Sequence, residues 1–254
     1  MKKKLLITVC ALGCIIFAKA QEYKVAKSTG RLEIRELNDV SIEGYNGNEI
    51  VFSSRNHDRD DDDRAKGLRA ISSQGLEDNT GLGISVVDKG DVVEVQQLKK
   101  MDGPEIKIMV PKGIKIVFTH TSPHGDDIKL KNMENAIDIS TVHNGVYLDN
   151  VTGPIQVKTV HGEIEAVFSG EIKNPVTLTS DHGHVDVSIP LSTKANLKLG
   201  TMFGEILVDP DLKIDIDRSG SMVKYSDKVN GKLGGGGVEI NLSSTHDNVY
   251  LRKK

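Results

Sequence analysis

One short run of residues recurs along this chain, and the recurrence constrains the fold more than any other feature. Ile137–Leu148 reads IDISTVHNGVYL, Ile155–Ala166 reads IQVKTVHGEIEA and Val176–Val187 reads VTLTSDHGHVDV. Leu197–Val208 reads LKLGTMFGEILV, and Ile240–Leu251 reads INLSSTHDNVYL. The copies align on His143, His161, His182, Phe203 and His246. Six residues before the anchor stand Ile137, Ile155, Val176, Leu197 and Ile240, and four before it Ile139, Val157, Leu178, Leu199 and Leu242. Three after it stand Val146, Ile164, Val185, Ile206 and Val249. Two before it every copy carries a hydroxyl: Thr141, Thr159, Ser180, Thr201 and Ser244. Apolar residues two apart have the period of a half-buried strand. The His-Gly element predicts a turn, with glycine taking positive φ.

The anchors lie 18, 21 and 21 residues apart, then 43, which is the length of two further units. A period of roughly 20 residues is solenoid spacing. A single unit cannot bury its apolar face alone, so neighbouring units must stack.

The first twenty residues read as a leader. Lys2–Lys4 are basic, Leu5–Ala18 are largely apolar, and Ala18-Lys19-Ala20 is an A-x-A cleavage signal before Gln21. The apolar run is short for a membrane span. A lipoprotein reading would use Cys14, but Ala11 suits that signal poorly and Ile15-Ile16-Phe17 continue the apolar run. The expected product is exported, whether periplasmic, on the cell surface or extracellular, with no transmembrane segment after cleavage. Both cysteines, Cys10 and Cys14, would leave with the leader, so the remaining chain has neither a disulfide framework nor a thiol nucleophile. Loss of four leader lysines takes the formal net charge from −3 to −7, which argues against nucleic acid as a partner. There is no Trp and aromatics make up 4% of residues, so stacking platforms for bases or sugars are not expected.

After the leader, Leu32–Leu37 and Val40–Ile42 are short strand candidates. Tyr45-Asn46-Gly47-Asn48 signals a hairpin into Ile50-Val51-Phe52, and Asp88-Lys89-Gly90-Asp91 a second one. Between them His57–Lys66 reads HDRDDDDRAK, with five Asp between Asp58 and Asp63. Such a run is ordinarily a solvated loop. Clustered carboxylates also suit calcium, although the D-x-D-x-D-G spacing is absent. Residues 21–254 are expected to form one elongated all-β domain. It comprises irregular strands and the acidic loop over 21–110, regular repeats over 111–208, a longer insertion over 209–232 and a closing rung over 233–254. Arg252-Lys253-Lys254 would guard the edge of that closing rung.

The run Ile106–Phe118 (IKIMVPKGIKIVF), the T-x-x-G-x-I/V units and the Gly-rich unit Gly231–Ser244 resemble a bacterial family, the "putative adhesin" β-strand-repeat domain. The resemblance covers roughly Val40 to Leu251. It implies a β-solenoid, often described as a right-handed parallel β-helix, and carries no catalytic residues to transfer. The chain departs from the family in placing His at the turn, where a small polar residue is usual.

If the units stack about 4.8 Å apart, His143, His161 and His182 form a ladder along one edge. Their imidazoles could converge on one metal ion, zinc above all, at about 2.0–2.1 Å each, with His184 and Asp181 nearby. The plainer alternative is that the rings stack on one another while Ser or Thr bonds local backbone; Phe203 in the same slot favours packing. Asp138, Glu163, Glu165, Asp186 and Glu205 are candidate acids for a polysaccharide-acting enzyme, but they alternate with apolar residues as solvent-facing strand positions do. Nucleophile elbows, phosphate loops and dinucleotide fingerprints are absent. The expected role is therefore non-catalytic. It is an adhesin-like or scaffolding surface without a catalytic residue or a required cofactor, its partner an unidentified envelope protein or glycan. A metal-binding module and an enzyme are the alternatives.

Overall fold

The computed structural model describes residues 21–54, 64, 67–68, 70–101, 103–217 and 227–254. The expected leader, with both cysteines, and the Asp58–Asp63 run lie outside the described residues. Among the described residues there is no α-helix; the strands form one sheet of 10 and another of 11, and neither closes into a barrel.

Each repeat unit gives its first strand to the larger sheet, turns at the anchor, and gives its second strand to the smaller sheet. The units are β10 (Ile137–Thr141) with β11 (Val146–Val151), β12 (Ile155–Thr159) with β13 (Ile164–Val167), and β14 (Val176–Ser180) with β15 (Val185–Ile189). They continue as β16 (Ala195–Thr201) with β17 (Ile206–Val208), and β20 (Val238–Ser244) with β21 (Val249–Lys253). The strands of successive rungs pair in parallel, and the register is the sequence alignment itself. Ile137 pairs with Ile155, Ile155 with Val176, and Val176 with Ile240. On the other sheet Val146 pairs with Ile164, Ile164 with Val185, and Val185 with Val249. A one-residue slip would turn every apolar side chain outward, so burial pins this register. The inward residues join one contiguous core that runs from Val25 to Leu251.

The order of rungs in the stack is not the order in the chain. The unit β20–β21 does not close the end. It lies between β14–β15 and β16–β17, with β20 paired to both β14 and β16. Downstream of β17 the chain forms β18 (Ile214–Ile216) and β19 (Asp227–Leu233), and β19 runs antiparallel along the outer edge of β16. To reach β20 on the other edge, the backbone must cross the start of β16. Gly234–Gly237 makes that crossing. Gly234, Gly235 and Gly236 have φ of 60, 86 and 93°, and a Cβ on Gly237 would stand 2.4 Å from the main-chain oxygen of Lys194. Only glycine permits both the left-handed turn and the close approach. Arg252 and Lys253 thus lie within the sheet and not at the end of the stack, paired with β15 but beyond the three residues that β17 covers; Arg252 Nε donates to both carboxylate oxygens of Asp186 at 2.8 and 2.9 Å.

The N-terminal region is built the same way. The rung of β2 (Thr29–Arg35) and β3 (Asp39–Tyr45) is inserted between two later rungs. On one side are β8 (Gly113–His120) and β9 (Ile128–Met133), and on the other β6 (Val92–Gln97) and β7 (Glu105–Pro111). The Asp88–Asp91 turn does join an antiparallel hairpin, β5 (Ile84–Asp88) with β6. The Asn46-Gly47 turn does not: β4 (Ile50–Ser54) pairs antiparallel with β7, which separates it from β3. The outermost partner of β4 is β1 (Glu22–Val25), also antiparallel. The parallel stack thus ends in antiparallel strands on three of its four sheet edges, and on the fourth in the three-residue β17.

An interior position for the last rung has a measurable cost. Leu242 is 1% exposed and flanked in its sheet by Leu178 and Leu199. Leu242→Ala is expected to destabilise the protein by about 2–5 kcal/mol, the range for a buried Leu truncated in a rigid core. Leu178→Ala should cost a similar amount. Chemical denaturation of the two variants checks this; a Leu242→Ala cost below about 1 kcal/mol would mean a frayed terminal rung instead.

Candidate functional site

The repeated hydroxyl two residues before each anchor explains how the turns stack. Ser180 Oγ donates to Gly162 O at 2.9 Å in the neighbouring rung and accepts from Gly183 N at 2.9 Å in its own turn. Ser244 Oγ donates to Gly183 O at 2.8 Å and accepts from Asp247 N at 3.1 Å. Thr201 Oγ1 donates to Asp247 O at 3.0 Å and accepts from Gly204 N at 3.0 Å. This seam follows the stack order, insertion included. Its hydroxyls are buried, so each bond satisfies a turn carbonyl that would otherwise lose its partner. The turn glycines do not take positive φ. They are needed because the rungs approach so closely: a Cβ on Gly162 would stand 1.9 Å from Asn144 O, and one on Gly183 2.2 Å from Gly162 O.

With the turns held in step, the anchor rings form one column. Ring centroids are 5.1 Å apart for His143–His161, 4.7 Å for His161–His182, 4.4 Å for His182–His246 and 5.1 Å for His246–Phe203. The inserted rung therefore places His246, not Phe203, beside His182. Phe203 caps the column and is 64% exposed. Asp181 lies against the middle of it. His182 Nδ1 is 3.4 Å from Asp181 Oδ2, and His246 Nδ1 is 3.9 Å from Asp181 Oδ1.

His184 stands outside the column. It lies between Glu163 and Glu165, with Nδ1 and Nε2 each 3.8 Å from one carboxylate, and meets the Tyr250 ring edge-on at 6.0 Å. The set His143, His161, His182 and His184 is thus not brought around one point: three of its members stack and the fourth faces two glutamates. The residue missed by spacing is His246, which is 64 positions from His182 in sequence and adjacent in space. Of the candidate acids, Glu163 and Glu165 share His184, and the rest have separate partners. Glu163 accepts from the Tyr147 hydroxyl, a bond that raises the Tyr147 pKa. Asp186 is held by Arg252, Asp138 lies 3.9 Å from Lys115, and Glu205 is held through its main-chain N–H by Asn248 Oδ1 at 2.8 Å.

Beyond His143 the same edge continues differently. His120 pairs in register with Thr141 and so fills the hydroxyl slot. It is fully buried, with Nε2 3.1 Å from Asn38 Oδ1 and its ring stacked on Phe118. Burial holds its pKa below the ordinary imidazole value, partly opposed by the Glu36 carboxylate. Glu36, at φ 51°, accepts from Thr121 N at 3.1 Å, Thr121 Oγ1 at 2.7 Å and Ser122 N at 3.2 Å. A cleft of about 550 Å³ opens there, lined by Glu36, Gln97, Met101, Ser122 and His124 among others. Among the described residues Glu36 is the one carboxylate that lines it.

Residues 95–252 match the model of the Toastrack DUF4097 family. Two solved structures are similar in outline. One is a "putative cell adhesion protein" of Clostridium sporogenes, 12% identical, covering 93% of this chain and 100% of that one with a TM-score of 0.44. The other is a "putative adhesin" of Bacteroides fragilis, 10% identical, covering 93% and 98% with a TM-score of 0.29. No curated protein matches the chain.

The buried His120 sets a pH dependence. Its folded pKa lies below its unfolded value of about 6.5, so the unfolded chain binds the proton more readily. The stability linked to His120 is complete above that pH and is lost as pH falls below it toward the folded pKa. Glu36 and His143 are the charged or titratable groups that act on it. Melting temperatures at pH 7.5 and 5.0 are expected to fall less for His120→Gln than for the unaltered protein; equal falls would remove His120 as a cause.

Proposed function

The chain belongs to the Toastrack DUF4097 family, and from that premise we propose that it is a non-catalytic adhesion or scaffolding module. It binds an envelope glycan or protein through the outer face of its larger sheet. The observation that carries this reading is the chemistry of that face. Thr119, Ser140, Lys158, Thr179 and Ser243 occupy equivalent outward positions on successive rungs, and Asp138, Gln156, Thr177, Asn241 and Lys198 follow one another in the adjoining column. Ser243 Oγ donates to Thr179 Oγ1 at 3.1 Å, and Asn241 Nδ2 to Thr177 Oγ1 at 3.4 Å. Such a face offers donors and acceptors in rows at strand spacing of about 4.8 Å, on backbone that the core holds rigid. Rows of hydroxyls and amides interspersed with Lys158, Lys198 and Asp138 suit a polar polymer that can run across several rungs, each contact weak and the sum specific.

The candidate acids support a non-catalytic role. Glycoside hydrolysis needs two carboxylates facing one bond, whereas Asp186 and Asp138 answer to Arg252 and Lys115, and Glu163 and Glu165 flank His184, with Glu163 also accepting from Tyr147. Export by the expected leader would place the module in the periplasm, on the surface or outside the cell. We take the winding as right-handed, the hand that strand–crossover–strand connections adopt almost without exception.

The test is a binding titration of the purified protein against envelope polysaccharide and intact envelope fragments. Thr179→Glu with Ser243→Glu puts two like charges on neighbouring rungs of the face while leaving the core untouched. Binding is expected to weaken by roughly tenfold or more, since like charges and desolvated carboxylates oppose a polar contact. Unchanged binding by the double variant would exclude this face. Release of sugar fragments would exclude the non-catalytic reading.

A further inference from the structure

We propose that Asp181, His182 and His246 form a site for a divalent transition metal, zinc by the character of its donors, which clips the last rung of the chain into the stack. One ligand atom from each residue lies within 4.8 Å of the others, the one such group among the described residues. Two imidazoles and a carboxylate are a normal zinc donor set, at about 2.0–2.2 Å each, with water in the fourth position. Oxygen-seeking calcium and magnesium are poorly served by two nitrogens. The three side chains are half-buried or exposed at the turn edge, so an ion can reach them and shed its water there.

The geometry also shows what binding must change. The His182 and His246 ring planes lie within 8° of each other, so their lone pairs run parallel. One ring must turn about its Cβ–Cγ bond for both to face one ion. His246 Nδ1 lies 3.0 Å from the main-chain oxygen of Asp181, a contact made by the tautomer that carries hydrogen on Nδ1. Ligation through that nitrogen requires the other tautomer, with the hydrogen on Nε2, and gives up the contact to the Asp181 oxygen. The other histidines are less suited. Among the described residues no carboxylate joins His143 or His161 in such a group, and the glutamates flanking His184 sit at opposite nitrogens.

The position gives the site its consequence. His182 belongs to the β14–β15 turn and His246 to the β20–β21 turn, which are neighbours only because the last rung is inserted. The unfolded chain holds these ligands 64 residues apart, so an ion bound here favours the folded stack and opposes withdrawal of β20–β21. The inference does not rest on the adhesion reading, because the site lies at the turn edge and not on the strand face.

Titration of the purified protein with Zn²⁺ by calorimetry, paired with thermal melts in EDTA and in excess Zn²⁺, tests it. One ion per chain is expected, with a rise in melting temperature and slower amide exchange in β20 and β21. Asp181→Asn and His246→Ala should each weaken binding by roughly tenfold or more, and His143→Ala should leave it unchanged. Absence of saturable binding, or binding that survives Asp181→Asn and His246→Ala, overturns the proposal. Asp181→Asn nearly preserves shape, so it decides the matter even if His246→Ala fails to fold.

Discussion

A rung of this protein cannot bury its own apolar side chains. It presents two short strands, each with two or three inward residues, and these become core only when the rungs above and below and the facing sheet close over them. The rest of the structure follows from that dependence. Because burial is shared between rungs, the register must bring Ile, Val and Leu into continuous columns, and it does so from Ile137 through Ile155, Val176 and Ile240 to Leu197. Because the turns are then forced together, three of the five, at Gly162, Gly183 and Gly204, need a glycine where a neighbour's carbonyl arrives. In four of the five turns a hydroxyl, from Thr159, Ser180, Thr201 or Ser244, accepts its own turn's N–H and donates to the neighbouring rung. The Ser or Thr two residues before the anchor is thus as structural as the apolar columns. The ring ladder is the outward consequence of the same spacing.

A stack has two ends, and exposed parallel strands at those ends would recruit other chains. The chain manages this by interlocking. Its first complete rung is inserted between later rungs, and its last rung is inserted between the third and fourth repeats. The strands left outermost are mostly antiparallel additions, β1, β5 and β18, or the short β17. Both chain-terminal rungs gain a neighbour on each side, which converts the segments most apt to fray into interior ones. The sequence separation of the contacts rises accordingly. Such long-range pairing slows folding while it rewards completion.

The residues made the rung legible but not the stack. Strand period, turn position and register could be read from the aligned copies, because equivalent residues in sequence are equivalent partners in space. The order of rungs could not be read that way. Leu178 can pack against Leu199 or Leu242 equally well, so apolar periodicity does not choose between them. The choice is made by β19 on the outer edge of β16 and by the glycine corner over Lys194, whose meaning appears only once both edges of β16 are known to be filled. The neighbours of His182 could not be read from spacing for the same reason. Spacing selected consecutive histidines and His184, while the insertion brings His246 to Asp181 and His182. The turn glycines were recognisable as turns, but their cause is a backbone approach from the next rung, which no local pattern contains. The burial of His120 could not be read from its own surroundings, since its slot is defined by pairing with Thr141.

The insertion of the last rung is the claim on which the ladder, the metal clip and the sealed ends depend, and one cross-linking experiment reaches it directly. Both cysteines of the sequence lie in the first twenty residues, so residues 21–254 offer a background without thiols. Thr177 pairs with Asn241 in the interlocked stack, whereas stacking in chain order would pair Thr177 with Lys198. Thr177→Cys with Asn241→Cys should close rapidly with a short thiol-bridging reagent, and Thr177→Cys with Lys198→Cys, two rungs apart, should not. Closure of the Thr177–Lys198 pair in preference to the Thr177–Asn241 pair would contradict the account.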